Sequence, residues 1–598
     1  SVPALAQDTA TITGRVVSED KPVSGANVVL ADPSTPGAAP VTSPFGDATD
    51  SGGRFQIADV PAGTYRLVVS IVGYRTHAEQ IELAAGEAHT VDVVLTRRTD
   101  LLDELVVSGR ASLTQPSAAV ATARLRLVPG GTNLIDLADR DRRSIATLAD
   151  AVEGTPGVVV QEFFGGNDQP RISVRGSGIQ SNPQSRGMLL MHNGCPLNFA
   201  DGSFVVGLVE PRLAEHAEVY RGSNALRHGG SALGGVLNLV APTGRVSDGP
   251  RLQVTGGSFD TWAGHGQYGW AGERSDAFVA VTGHRHDGFR RQNDSGNRFV
   301  THTNWGYRWT SAFETRLYGT AATMDFAIPG PLNKAQLEAD PQSVSEGVTP
   351  PSSLGPNVPV DEPRRATDLY RLATRSTWSP VRPGAAARRT LDLGIAYQYT
   401  DDIFYFPVGT GVRDLQSHVL TSDLQFERAG AMLGTRGATT LGASATIGWM
   451  DRAYFSNERG AKGRAFADND MQATTARLYA EQTLRLAARW TLTAGVQGVM
   501  AMRSIDEAFA TPAERPRYVV LQDTYATIPS AATDFSETYW GLNPTLGLHF
   551  EVRPTLSVFG NVGRSFEPPT FNTLLSPRGG SPNAGPSRFA VQPLDAQR

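Results

Sequence analysis

Leu391-Asp392-Leu393-Gly394-Ile395-Ala396-Tyr397-Gln398-Tyr399-Thr400 alternates apolar residues with polar or small ones. Successive side chains of a strand point to opposite faces. Leu391, Leu393, Ile395, Tyr397 and Tyr399 therefore share one face, and Asp392, Gly394, Ala396, Gln398 and Thr400 the other. The pattern recurs. Trp490, Leu492, Ala494 and Val496 oppose Thr491, Thr493, Gly495 and Gln497, and Leu546, Leu548, Phe550 and Val552 oppose Thr545, Gly547, His549 and Glu551. From Arg251 onward we count about thirteen such strands. A soluble sandwich turns its apolar face inward; a transmembrane barrel turns it outward to lipid. Aromatics near the strand ends (Trp270, Trp305, Trp309, Tyr318, Trp378, Trp449, Trp540) favour the barrel, as interfacial girdles. So do unequal connections, tight at 486–489 and 550–554 but long and Pro-rich over 327–364 and 504–533. Short turns on the periplasmic side and long loops outside are the outer-membrane pattern.

The 598 residues are enough for several domains. With 19% charged and 40% hydrophobic residues and a mean hydropathy of -0.23, the composition looks soluble. No run of 18 apolar residues occurs, so no spanning helix is expected. A barrel escapes that test because only every second residue meets lipid. A net charge of -5 and a pI near 6.2 leave no nucleic-acid footprint. Cys195 is the single cysteine, which excludes an internal disulfide and a multi-cysteine metal site. Ala4-Leu5-Ala6 has the small-x-small pattern of a cleaved export signal, and we read residues 1–7 as its remnant.

Residues 8–98 read as a β-sandwich, with turn clusters such as Asp50–Gly53 between short strands. Pro22–Val28, Asp50–Phe55 and Val60–Tyr65 carry P-V-x-G-A-x-V, D-x-x-G-x-F and V-x-x-G-x-Y. On these the stretch resembles the carboxypeptidase regulatory-like domain. It has no zinc-ligand spacing, so no active site is assigned to it.

A second set of motifs follows. Ser144–Val152 reads as a short helix with a Ser cap. After it come Thr155-Pro156-Gly157-Val158, Arg171-Ile172-Ser173-Val174-Arg175-Gly176 and Leu190-Met191-His192-Asn193-Gly194-Cys195-Pro196. Glu218-Val219-Tyr220-Arg221-Gly222 and Gly234-Gly235-Val236-Leu237-Asn238 complete the series. In this order the motifs resemble the plug of TonB-dependent outer-membrane receptors. One departure is Asn193 where that family usually has Asp, which keeps an Asn-Gly turn. The resemblance implies a plug over 110–245 inside a partial transmembrane barrel over 246–598. The segment 99–109, with Asp103, Glu104, Leu105, Val106, Val107 and Ser108, then looks like the TonB box, a strand captured by edge pairing.

The family's plug–barrel lock carries over to Arg175, Glu218 and Arg221, charges expected to be buried between plug and wall. Plug loops of the family rise toward the ligand, which makes Phe163, Phe164, Gln180, Arg186, Asn198 and Phe204 the contact candidates. Val562–Phe571 carries S-F-x-P-P-x-F, similar to a late barrel motif of siderophore receptors. The family's barrel has about 22 strands, so we expect a C-terminally incomplete chain. His284 and His286 share a face by alternation and read as barrel lining rather than a metal pair. The implied function is TonB-dependent import with a ferric siderophore as default cargo. TonB and outer-membrane lipid are the expected partners, with no enzyme activity, cofactor, resident metal or nucleic acid. A SusC-like glycan importer and a β-sandwich surface adhesin stand as alternatives.

Overall fold

The computed structural model describes residues 9–18, 21–23, 25–31, 45–50, 52–71, 74, 77–95, 112–138, 147–161, 170–177, 186–222, 227–228, 233–247, 249–347, 357–380, 387–406, 411–432, 434–519, 522–553, 556–575 and 590–597. The export-signal remnant at 1–7 and the TonB-box segment 99–109 lie outside them. The chain divides into two compact units, residues 1–110 with 552–556, and residues 111–551 with 557–598.

The first unit is a sandwich of β1 (Ala10–Ser18), β2 (Lys21–Pro22), β3 (Asn27–Ala31), β4 (Gly46–Ala48), β5 (Arg54–Val60), β6 (Gly63–Ser70), β7 (His77–Leu83) and β8 (Ala88–Val94). One sheet runs β2-β1-β5 with β8 parallel to β1; the other runs β4-β3-β6-β7. Alternation buries Ile12, Val28, Leu30, Phe55, Ile57, Leu67 and Val69 between them. Gly14 is dictated by packing, because a Cβ there would lie 1.9 Å from the Val91 carbonyl oxygen. The Asp50 carboxylate closes its turn by accepting from the Gly52 and Arg54 amides, both at 2.8 Å.

The plug opens with α1 (Ala118–Arg126) and continues through β9 (Thr132–Asp136), α2 (Leu148–Val152), β10 (Val158–Gln161), β11 (Arg171–Val174), β12 (Met188–His192), β13 (Cys195–Pro196), β14 (His216–Arg221) and β15 (Gly235–Val240). Five strands form one sheet in the order β13-β12-β15-β14-β9, and β10 pairs with β11. Helix α2 starts at Leu148, and its cap is Thr147 rather than Ser144, which lies outside the described residues. Thr147 and Asp150 form a reciprocal capping box, satisfying two amides at once. The Asn-Gly turn between β12 and β13 has positive φ at both positions, 54° and 77°. Asn193 also accepts from the Ala241 amide at 2.8 Å, a bond that needs an oxygen but no charge. Leu148, Val152, Ile172, Leu190, Val219, Leu237 and Leu239 pack as one core.

The wall is a thirteen-stranded antiparallel sheet, the number the alternation indicates. Its strands are β16 (Gly249–Gly257), β17 (Thr261–Ala271), β18 (Ser275–His286), β19 (Gly296–Thr310), β20 (Phe313–Ala327), β21 (Arg364–Trp378), β22 (Ala387–Tyr405), β23 (Val412–Met432), β24 (Thr435–Glu458), β25 (Ala461–Ala487) and β26 (Trp490–Glu507). After a separate hairpin of β27 (Glu514–Val519) and β28 (Thr524–Pro529), β29 (Phe535–Arg553) and β30 (Leu556–Gly563) complete it. The β20–β21 connection holds α3 (Lys334–Ala339) and α4 (Val358–Asp361), and α5 (Phe571–Leu574) follows the last strand.

Leu393, Ile395, Tyr397, Leu546 and Leu548 are exposed, while Arg316, Arg452 and Arg503 are among the largest fully buried side chains. Apolar out and charged in is the sense of a membrane barrel, not of a soluble core. Trp270, Trp305, Trp309, Trp378, Trp449 and Trp540 are exposed, but Tyr318 is not a girdle residue. It points inward, where it packs with Cys195, Ala373 and Ala396. No described helix is long and apolar enough to cross a membrane.

Candidate functional site

Beside a buried apolar cluster that Phe199, Ala200, Leu208 and Leu213 share with wall residues such as Val300, Val419 and Met450, the plug and the inner face of the wall meet across a polar interface. Its densest part lies at the short-turn end of β18–β20. Glu314 accepts from the Ser112 hydroxyl, from the Leu113 amide at 3.0 Å and from the Thr114 hydroxyl at 2.9 Å. Arg316 makes a two-pronged pair with Asp276, both bonds at 2.8 Å, and also reaches Glu314 at 3.3 Å. Arg308 and Arg245 add pairs to Glu314 and Asp276, each at 3.0 Å. The Asn304 amide donates to the Pro242 carbonyl at 2.8 Å. Both ends of the plug, 112–115 and 241–245, are thus fastened to the same wall sector. Buried charges tolerate this only because each has partners.

The expected lock residues are placed differently. Glu218 is buried, but its guanidinium partner is Arg124 of α1, at 2.6 Å, with Tyr220 at 3.2 Å and Asn238 at 3.1 Å. Burial alone pushes a carboxyl up; Arg124 and these hydrogen bonds outweigh it and hold Glu218 below its usual range. Arg221 bonds Asn133, and burial together with neighbouring Arg175 lowers the pKa of its guanidinium. Arg175 is exposed and adopts a left-handed backbone, φ 54°. The reason is that Glu218 and Tyr220 lie on the sheet face that α1 covers, where Arg124 reaches both. The charges that bridge plug and wall instead include Glu314, Arg316 and Asp276, the pairs Arg298–Glu210 at 2.8 Å and Arg227–Glu481, and Arg371 and Arg503, which donate to the Pro196 and Asp201 carbonyls, both at 3.1 Å.

Of the ligand candidates, Phe163, Phe164 and Gln180 lie outside the described residues, as does the whole 103–108 segment. Asn198 spends its side chain inside the plug. It accepts from the Leu190 amide at 2.9 Å and donates to the Met188 and Gly202 carbonyls at 2.9 and 2.8 Å. Phe204 is 2% exposed and belongs to the plug core. The 197–214 stretch turns Phe204, Val209 and Ala214 into the plug core, while Phe199, Ala200, Leu208 and Leu213 join a buried cluster with the wall. Arg186 is half-buried beside Glu567, whose carboxyl burial pushes up while Arg186 acts against it. His284 and His286 stand 5.5 Å apart between ring centroids. No group of three metal-ligating side chains occurs among the described residues.

A signal for the missed residues was present: Glu314 and Arg316 are two apart on the face opposite Leu317. At the long-loop end, Asp402 accepts from Arg365 and Arg413, both at 2.6 Å. Arg452 bonds Asn572 at 2.9 Å, and Arg503 bonds the Asp201 carbonyl at 3.1 Å. The Phe571 amide donates to the Asp201 carboxylate at 2.8 Å, seating α5 on the plug.

Comparison with known proteins agrees with this arrangement. Residues 11–96 match the carboxypeptidase regulatory-like domain, 124–236 the TonB-dependent receptor plug domain, and 219–597 the TonB dependent receptor-like β-barrel. The ferrioxamine receptor of Yersinia enterocolitica is 25% identical over 183 residues, 30% of this chain and 24% of that protein. The vitamin B12 transporter BtuB of Vibrio vulnificus is 24% identical over 131 residues, 22% of this chain and 21% of that protein. The chain therefore matches less than a quarter of the length of these two relatives. The unliganded ferric citrate transporter FecA is similar with a TM-score of 0.58 at 14% identity, covering 75% of this chain and 64% of that one. The ferric yersiniabactin uptake receptor FyuA of Yersinia pestis gives 0.55 at 13%, covering 81% and 70%. With a barrel description matching more than half its length around a fastened plug, the chain belongs to the TonB-dependent receptor family.

Proposed function

We propose that the chain serves TonB-dependent uptake of an anionic ferric chelate across the outer membrane, with Asp103–Ser108 as the strand offered to TonB. One observation supports the anionic cargo. The buried, inward side chains at the long-loop end of the wall carry more guanidinium than carboxylate. Arg365 and Arg413 share the single Asp402. Arg452 and Arg503 form no salt bridge among the described residues: the Asp201 carboxylate of the plug acts on both from a distance, and they bond carbonyls, an amide and a hydroxyl. Aromatic rings stand beside them: Arg413 lies 5.8 Å from the ring centroids of both Phe404 and Phe406, and Arg452 5.6 Å from that of Tyr454. Surplus positive charge among flat rings draws anions with planar arms. The likeness to a ferric citrate transporter and a ferric yersiniabactin uptake receptor supports a ferric chelate as cargo.

The test is iron uptake by cells carrying the receptor, with ferric citrate, a ferric catecholate and a neutral ferric hydroxamate as separate probes. Accumulation of the citrate or catecholate complex that stops when an uncoupler collapses the proton gradient is the expected result. Uptake of the hydroxamate alone overturns the anionic cargo. Uptake of cobalamin or an oligosaccharide with none of the three chelates, or uptake indifferent to the uncoupler, overturns the whole reading.

A further inference from the structure

The arginines at the long-loop end are covered by a segment of the same chain. After β30 the backbone runs into α5, and residues 569–574 lie as a strap on two of the guanidiniums that an anionic cargo would use. The Asn572 side-chain oxygen and the Phe571 carbonyl accept from Arg452, at 2.9 and 3.4 Å. The Pro569 carbonyl accepts from Arg503 at 3.2 Å. All three acceptors are neutral. Arg452 and Arg503 are 1% and 0% exposed, so neither is open to a solute while the strap stays in place. On the plug side, the Asp201 carboxylate accepts from the Phe571 amide at 2.8 Å and from the Ser203 amide and hydroxyl at 2.9 and 2.7 Å. Phe571, Leu574 and Leu575 complete the hold by packing in the cluster that contains Phe404, Met450 and Phe466.

Charge and hydrogen bonding here do not balance. The guanidiniums of Arg365, Arg413, Arg452 and Arg503 face two carboxylates, those of Asp402 and Asp201. Toward the strap, Arg452 and Arg503 bond only carbonyl and amide oxygens, and the Arg452 Nε has no partner among the described residues. A guanidinium bonds an ionised oxygen about twice as strongly as a neutral one. We propose that Pro569, Phe571 and Asn572 occupy the seat of the cargo's anionic arm, and that cargo binds by displacing the strap from Arg452 and Arg503. With no cargo present, the strap keeps two buried charges from standing unpartnered, which would be costly. It also selects. An entering ligand must replace three hydrogen bonds and the burial of Phe571 and Leu574, so a chelate with several ionised oxygens opens the seat and a neutral one does not. The apparent affinity then falls below the intrinsic one by the fraction of receptor whose strap is open. The inference rests on the uptake reading, which supplies the anion.

The test uses the full chain in lipid vesicles, with ferric citrate and a ferric catecholate as probes. Asn572→Ala removes the shorter Arg452 bond, loosens the strap and leaves every guanidinium in place. The chelate that the unmodified receptor binds should therefore bind this variant about three- to tenfold more tightly in calorimetry. Unchanged or weaker binding overturns the proposal, because the strap would then be fixed lining or a contact of the cargo. In a second variant, Leu574→Cys with Cys195→Ala places a thiol where the side chain is 0% exposed. Saturating chelate should speed its reaction with a maleimide about tenfold or more. A thiol that stays slow while calorimetry shows the chelate bound overturns the strap and leaves the uptake reading standing. A receptor that binds neither chelate defeats the uptake reading, and the strap falls with it.

Discussion

The N-terminal sandwich and the barrel wall obey the same alternation with opposite sense. In the sandwich, Phe55, Leu67 and Val69 point inward and Arg15 is exposed. In the wall, Leu393, Leu424 and Leu546 point outward and Arg316, Arg452 and Arg503 are buried. The pleat is indifferent to which face is apolar; the solvent on each side decides. Where water lies outside, an arginine is a surface group of little energetic weight. Where lipid lies outside, the same residue becomes part of a network, and losing it leaves charged partners stranded.

Four outcomes break or sharpen this contrast. The largest is Arg316→Ala, which should cost roughly 3–5 kcal/mol in denaturant unfolding of the reconstituted receptor, because Asp276 and Glu314 lose the buried guanidinium they share and keep only Arg245 and Arg308. Arg15→Ala in the sandwich should fall within about 0.5 kcal/mol. A comparable loss at both sites would erase the distinction. Next, Leu424→Arg on the outward face of β23 should cost about 2–4 kcal/mol in lipid. A charged residue accepted there without cost would mean that the face does not meet hydrocarbon.

The plug follows the sandwich's rule, with apolar residues inside, and Glu215 strains it. Burial, with Asp136 nearby, raises its carboxyl to about 7. Its folded value lies above its unfolded one, so its contribution to stability is greatest at acid pH and falls as pH rises from about 4.5 to about 7. Glu215→Gln should therefore stabilise the plug above pH 7, by up to about 3 kcal/mol, and do little below about pH 4. A pH-independent effect in a stability titration would rule this out. The smallest effect is Thr147→Ala, about 1 kcal/mol in the same unfolding measurement, from loss of the α2 capping box.

Much of the architecture was legible because it rests on short periods and local turns. The strand count of the wall follows from alternation, and the sandwich and plug motifs follow from glycine-bearing turns such as Asp50–Gly53 and Asn193-Gly194. The fastening sites were less legible. Glu314 and Ser112 are 202 positions apart, and an inward arginine of a barrel looks in sequence like an outward arginine of a soluble strand. Asn198 and Phe204 read as loop contacts because 197–214 has no regular period. Their chemistry instead serves the plug: an amide that ties three backbone groups, and a ring that fills the core.

The wall's connectivity carries one more consequence. Each strand from β16 to β25 pairs with its immediate successor, and β26 pairs with β29 past the β27–β28 hairpin. Such a sheet can be laid down hairpin by hairpin, every arriving strand finding a finished template beside it, with short loop closures at most steps. The plug's sheet, where β12 lies beside β15 and β14 beside β9, offers no such order. The wall's strand order therefore permits sequential addition, whereas the plug's sheet closes only once distant segments have met.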